Sequence, residues 1–392
     1  MPWSETTAMQ QKTQFIADYL RDRYTISELC ERYRISRKTG YKWAERYMLE
    51  GLDGLRDRSR APKRCSHRTP EAVEQALVEA RRRHPTWGPR KLLWKLRRLR
   101  PALPWPAPST AGDILRRHGL VERRPSRRRF EHPGKPKFEA LAANDVWTGD
   151  YKGECRTGDR RYCYPLTVAD LKSRCLLGLE GKLSTAELGA RKSFERLFRE
   201  NGMPKAILTD NGSPFSSPAL CGLSRLSMWW IKLDIRVLRT EPSHPEQNGA
   251  HERMHRTLKA ETTRPPASNL RGQQRRFDAF RREYNEERPH EALGMLPPRE
   301  AYEPSPRPYP DCVPEVEYPG HFELRQVRRD GSIKWKGRYL FVTTVLHGEP
   351  IGLEEVDDGI WSLHFGPLLL ARFDERDQRL RTEAPDSGPN ES

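Results

Sequence analysis

Val146-Trp-Thr-Gly-Asp150-Tyr-Lys-Gly153, Arg161-Tyr-Cys-Tyr-Pro-Leu-Thr-Val-Ala-Asp170 and Ser173-Arg-Cys-Leu-Leu-Gly-Leu179 are the runs that decide the fold. They are rich in β-branched, aromatic and aliphatic residues and are separated by short turns, which predicts a three-stranded antiparallel meander. The period then changes. An amphipathic helix is expected from Ser184 to Glu200, a strand over Lys205–Asp210, a helix over 217–231 and a strand over Ile235–Arg239. A helix carrying Glu252 and another over about 272–287 follow. Strands first, then alternating helices and strands, predict a mixed sheet covered by helices.

Residues 243–261 read Ser-His-Pro-Glu-Gln-Asn-Gly-Ala-His-Glu-Arg-Met-His-Arg-Thr-Leu-Lys-Ala-Glu. A helix should begin near Asn248 or Gly249, with Ala250, Met254, Thr257 and Leu258 as its mostly apolar stripe. Glu252, His255, Arg256 and Lys259 then share the opposite face. Such a face suits one metal-binding carboxylate beside Arg256 and Lys259 gripping a phosphate backbone. Taken alone, it better suits a solvated surface helix with i,i+4 ion pairs, and the rest of the chain reverses that preference.

The 392 residues allow two or three domains, and the net charge of +17 is unevenly placed. Residues 1–139 hold 33 Lys and Arg against 16 Asp and Glu, whereas residues 140–392 hold 38 of each. A basic module ahead of a charge-balanced body is the footprint of a polyanion partner. The sequence has no long apolar run or signal peptide to suggest a membrane, so nucleic acid is the expected partner. The seven cysteines form no Cys-x-x-Cys pair or finger spacing, and read as reduced thiols of a cytosolic protein.

Within 1–58, a helix over 11–22 precedes Thr25-Ile-Ser-Glu28, which has capping-box spacing, and Ser36 caps a third helix. This is the helix-turn-helix pattern. Arg37, Lys38, Thr39 and Lys42 are its expected DNA-facing residues, with Tyr41 or Trp43 and Ala44 in the core. A basic linker over 56–69 leads to three more helices within 69–120, read as a second helical DNA-binding unit, and 121–138 is another basic tether. The main domain is expected over 140–302. After the Pro-rich stretch 303–314, six short β runs within 315–375 predict a small β-barrel, with Asp330-Gly331 and Asp358-Gly359 as hairpin turns. The tail from about 381 is polar.

Asp150 in the first strand, Asp210 ending the fourth and Glu252 on the later helix are candidate catalytic and metal-binding residues. Brought to ~4 Å, each pair of carboxylates would repel by about 4 kcal/mol at an effective dielectric near 20 unless cations intervened. Separately, Asp210-Asn211-Gly212 reads as a turn and Asp150 as an edge-strand charge. Together with their surroundings, these residues resemble a known family: the DDE transposases of bacterial insertion sequences, with a retroviral-integrase-like core. The resemblance rests on Trp147-Thr-Gly-Asp150, Leu208-Thr-Asp210-Asn-Gly-Ser-Pro-Phe215, His244-Pro-Glu-Gln-Asn-Gly-Ala-His-Glu252-Arg-Met-His-Arg-Thr-Leu-Lys259 and Tyr284-Asn-Glu-Glu-Arg-Pro-His290. It covers roughly 144–300. One departure is the 41 residues between Asp210 and Glu252, a few more than the family's commonest spacing. Glu246 competes for the third position, but precedes the helix.

The resemblance implies a ribonuclease-H-like core with Asp150, Asp210 and Glu252 as its three catalytic carboxylates and Lys259 as a DNA contact. It also implies two Mg²⁺ ions, with Mn²⁺ as a substitute, Asp150 bridging them and the other two acids on separate ions. The reaction would be cleavage at the ends of a mobile element and joining of the freed 3′ ends to target DNA. The partners would be element-end DNA, target DNA and further copies of the chain on DNA, with a bacterial cytoplasmic, nucleoid-associated location. A sequence-specific regulator with an inactive core would explain the basic N-terminus but not the three acids. A structure-specific nuclease would share the core but not need the N-terminal modules.

Overall fold

The computed structural model describes residues 7–58, 69–121, 138–151, 153–240, 249–377 and 379–382. The chain divides into two compact units, Met1–Arg68 and Thr69–Ser392.

In the first unit, α1 (Ala8–Leu20), α2 (Ile26–Arg32) and α3 (Arg37–Glu50) are capped by Thr7, Thr25 and Ser36. The Thr25 box closes as its spacing predicts, with the Glu28 carboxylate accepting the Thr25 N–H at 2.7 Å. Phe15, Ile16, Leu29, Cys30, Trp43 and Leu55 form the core. Trp43 takes the core position and Tyr41 is exposed. Gly40 is where α3 crosses α2: a Cβ there would lie 2.4 Å from the Cys30 sulfur, so a larger residue would have to displace that buried side chain.

The second unit begins with α4 (Glu71–Arg83), α5 (Pro89–Leu99) and α6 (Pro108–Arg117), packed around Leu77, Trp87, Leu92, Leu96, Ile114 and Leu115. β1 (Val146–Tyr151), β2 (Cys155–Arg156), β3 (Tyr162–Asp170) and β4 (Leu176–Lys182) follow. The chain continues through α7 (Glu187–Asn201), β5 (Ala206–Thr209), α8 (Arg225–Lys232), β6 (Arg236–Arg239), α9 (Gly249–Thr262) and α10 (Leu270–Arg282), which runs on as a π turn to Glu287. The helix expected over 217–231 is broken: a short 3-10 turn, Leu220–Gly222, precedes α8. β4, β3 and β1 are antiparallel, β1, β5 and β6 are parallel, and the sheet order is β4-β3-β1-β5-β6, with the two-residue β2 on the end of β3. This is the mixed sheet that the sequence predicts, with the strand order of a ribonuclease-H-like core.

Alternation along β1 and β3 assigns the two faces. Trp147, Leu166 and Val168 join Phe194, Leu197 and Phe198 of α7 and Trp229 and Trp230 of α8 in the largest core. On the other face Leu176 and Leu179 meet Met254 and Leu258 of α9 and Phe277 and Phe280 of α10. Asn144 locks the start of β1: its backbone N–H donates to Asp170 at 2.7 Å, and its side-chain oxygen accepts from the Trp147 indole at 2.9 Å. Asp170, almost fully buried, also accepts the Ser173 N–H and hydroxyl. Its acid is thus a structural latch; burial pushes its pKa up, partly offset by these donors.

Polar contacts seat α4 and α5 on the extension of α10 and on the 3-10 turn Pro298–Ala301. His84 Nδ1 lies 2.9 Å from Glu283 Oε1, Lys95 pairs with Glu287, and Arg98 lies 2.9 Å from Glu300. Arg288, 7 % exposed, pairs with Glu261 of α9 at 3.1 Å, and that carboxylate also accepts the Thr86 hydroxyl.

The C-terminal β segment departs from expectation. β7 (Glu323–Gln326), β8 (Ser332–Trp335), β9 (Arg338–Phe341), β10 (Pro350–Asp357), β11 (Ile360–Phe365), β12 (Leu368–Asp374) and β13 (Leu380–Arg381) do not close into a small barrel. Among the described residues they make an open antiparallel sheet, β13-β12-β11-β10-β7, and a separate β8–β9 hairpin. Asp358-Gly359 does join paired strands, but Asp330-Gly331 joins β7 to β8, which do not pair; the second hairpin turns at Lys336-Gly337, both with positive φ. Trp335 from the hairpin packs on Trp361 and Phe373, so side chains rather than ladder hydrogen bonds cover the sheet face.

Candidate active site on the sheet end

Parallel pairing sets Gly149 opposite Thr209, so Asp150 and Asp210 are the next residues at the same end of neighbouring strands. Asp150 keeps 23 % of its side chain exposed, and Asp210 lies on the surface, its Oδ1 accepting the Gly212 N–H at 3.1 Å. Asp150 shares a face of β1 with Thr148, the face that α9 covers. Glu252 stands exposed in the first turn of α9. The sheet thus brings two of the expected acids side by side and sets the helix bearing the third against the same strands. Glu246 lies outside the described residues.

The helix lies in a different rotation from the one its hydropathy predicts. His251, Met254, His255, Leu258 and Thr262 are buried. His255, expected on the polar face with Glu252, is inside, because the strands supply hydroxyl partners for two imidazoles. His251 Nδ1 lies 2.8 Å from Thr148 Oγ1, and its Nε2 lies 2.7 Å from Thr167 Oγ1. His255 Nε2 lies 2.7 Å from the same Thr167 oxygen, and its Nδ1 lies 3.4 Å from Asp150 Oδ2. Ligand atoms of Asp150, His251 and His255 all lie within 4.8 Å of one another. The sequence offered one signal for this group, the His-x-x-x-His spacing on a helix, which hydropathy alone assigns to solvent.

Arg256 and Lys259 are exposed on α9. Lys259 faces β2: the Cys155 thiol there is drawn down to about 7, mainly by hydrogen bonding from Cys163 opposite it, with the Lys259 charge adding a smaller pull. In the first unit Arg37, Lys38 and Lys42 are exposed at the start of α3, while Thr39 is half-buried, its hydroxyl 2.9 Å from that of Ser36. The Lys42 ammonium sits 4.3 Å from the Trp43 ring. No described helix is long and apolar enough to cross a membrane.

Two family models described as Integrase core domain match residues 140–245 and 233–298. A Helix-turn-helix domain model matches residues 11–63, and a Homeodomain-like domain model matches 39–115. The Insertion element IS407 uncharacterized 31.7 kDa protein of Burkholderia multivorans is 27 % identical over 190 residues, 48 % of this chain and 66 % of that protein. The Insertion element IS476 uncharacterized 39.2 kDa protein of Xanthomonas euvesicatoria is 27 % identical over 233 residues, 58 % of this chain and 64 % of that protein. The matched stretch therefore spans less than two thirds of either relative. Among solved structures, a chain of the simian T-cell lymphotropic virus intasome in complex with PP2A regulatory subunit B56 gamma aligns with 79 % of this chain and 100 % of its own, at 17 % identity and a TM-score of 0.38, too loose to bear on mechanism. The chain carries an integrase core domain behind helix-turn-helix and homeodomain-like helices, and is a homologue of insertion-element proteins.

Proposed function

We propose that this protein is a transposase that binds the ends of its mobile element, cuts there and joins the freed ends to target DNA. The observation that carries the reading is the placement of Asp150 and Asp210 on adjacent parallel strand ends, with Glu252 on the helix packed over the same strands. An all-oxygen set at a solvent-accessible sheet end suits Mg²⁺, which prefers oxygen ligands and retains water. Asp150, Asp210 and Glu252 would hold two such ions; when bound, these supply charge stabilisation and an activated oxygen nucleophile for in-line phosphodiester displacement. The protein's own part is to fix the three carboxylates, exclude misaligned DNA and grip the backbone with Arg256 and Lys259. Arg37, Lys38, Thr39 and Lys42 would recognise the end, and several copies would assemble on DNA. The test is joining of a pre-cut end oligonucleotide to plasmid in Mg²⁺ or Mn²⁺, against random duplex and chelator controls. Equal use of random duplex would sink the transposase reading.

Lys259 tests the grip. It stands two turns from Glu252, about 10 Å along the axis at 1.5 Å per residue, too far for the pair to neutralise each other. Lys259→Ala should lower joining several-fold near physiological salt and approach wild type at low salt, where the remaining phosphate contacts strengthen. Wild-type joining at every salt concentration would show that Lys259 is merely solvated.

A further inference from the structure

Thr148, His251, Thr167, His255 and Asp150 form a continuous chain of polar atoms between β1, β3 and α9, and four of its five members are buried. Each hydroxyl has one proton, and a neutral imidazole has one donor and one acceptor nitrogen. The terminal Asp150 carboxylate can only accept. One ordering of neutral groups satisfies the three hydrogen-bonded links: Thr148 O–H donates to His251 Nδ1, His251 Nε2–H to Thr167 Oγ1 and Thr167 O–H to His255 Nε2, which places the His255 proton on Nδ1, 3.4 Å from Asp150 Oδ2. The reverse ordering would set a bare imidazole lone pair 3.4 Å from a carboxylate oxygen. Carbonyls compete for both hydroxyl protons, Ala169 at 3.2 Å from Thr148 and Asp150 at 3.0 Å from Thr167. Both are farther than the ring nitrogens at 2.8 and 2.7 Å.

We infer that His255 is a positioning residue: it holds Oδ2 of Asp150 from inside the fold and so presents that carboxylate to metal in one orientation. This rests on the reading of Asp150 as a metal ligand. A metal held by both imidazoles instead is disfavoured, because both nitrogens of His251 and Nε2 of His255 already face threonine hydroxyls. Partners behind a metal ligand fix its geometry, and their loss typically weakens metal affinity or activity about 10- to 100-fold.

The test uses the full chain and Mn²⁺ as probe, with bound ion read by electron paramagnetic resonance and end-joining read in parallel. His255→Phe should weaken Mn²⁺ binding and raise the Mn²⁺ concentration for half-maximal joining, each about 10-fold or more. His255→Asn, whose amide nitrogen stands where Nδ1 stands, should recover to within about threefold of wild type, whereas His255→Gln, which reaches only toward Thr167, should not. Thr167→Val, which keeps the side-chain volume, should shift Mn²⁺ binding in the same direction and provides the measurement if His255→Phe does not fold. Specific end binding should be unchanged throughout. Wild-type Mn²⁺ binding in His255→Phe or in Thr167→Val, or equal behaviour of the Asn and Gln variants, overturns the inference. Asp150→Asn separates the two levels: if it still joins DNA, the underlying reading fails. If it is inactive while His255→Phe binds Mn²⁺ normally, only the role of His255 fails.

Discussion

Asp150→Asn, Asp210→Asn and Glu252→Gln should each reduce metal-dependent cleavage and joining by about 10³-fold or more, since a two-metal site supplies several kcal/mol of charge stabilisation. Each amide keeps the shape of the acid and loses its charge. The folded protein should survive, because Asp210 and Glu252 are exposed and Asp150 is partly so. Binding to the element's end should stay within about twofold, because none of the three lies in the helix-turn-helix region; surface substitutions of this kind usually change stability by less than about 0.5 kcal/mol. Asp170→Asn is the informative contrast. Asp170 is an equally strand-bound acid, but its oxygens are occupied by Asn144 and Ser173, so its loss should lower stability rather than chemistry. Near-normal joining by any of the three candidate variants removes that residue from the site. If Glu252→Gln is the survivor, Glu246 becomes the alternative.

The second large effect is ionic. Affinity for the element's end should fall by about 0.9 log unit per log unit of salt for each phosphate neutralised, so roughly six contacts would cost about 10³-fold between ~50 and ~200 mM salt. Arg37→Ala, Lys38→Ala and Lys42→Ala address the exposed start of α3. Any of them that contacts phosphate should flatten the salt slope by about 0.9 and weaken all duplexes alike. One that contacts a base should instead erase the preference for the end sequence. A fluorescence-anisotropy titration with end and random duplexes at several salt concentrations separates these outcomes. Unchanged affinity and slope in the triple variant would remove α3 from the DNA interface.

The strands and helices that frame the site were legible because each is long enough to show its period. β1, β3, α7 and α9 all lie close to their expected spans, and the box at Thr25 closes as its spacing predicts. The two-residue strands β2 and β13 carry no period to detect. The open C-terminal sheet was illegible for another reason. Which strands pair across long separations leaves no local mark, and Asp330-Gly331 has the composition of a hairpin turn without the partner strands of one. On α9 the error was one of rotation. Hydropathy sends His255 to solvent, whereas Thr167, distant in sequence, provides the hydroxyl that lets it enter. The Asp150–Asp210 neighbourhood was legible through the family resemblance carried by the residues around each acid; the Thr and His residues behind it were not.

Were α4–α6 to grip DNA, the seating of α4 and α5 on the extension of α10 would make this part of the protein a ruler. Through His84, Lys95 and Arg98 the three-helix group shares one body with the strand that bears Asp150. Any duplex gripped by α4–α6 would therefore meet the carboxylates at a set offset. One inserted base pair advances the helix by about 3.4 Å and turns it by about a tenth of a revolution. An added base pair between that grip and the scissile phosphate should therefore shift the cut by one nucleotide within the element's sequence, leaving its distance from the gripped segment unchanged. A cut that stays with its original nucleotide would mean that the offset is not built into the protein.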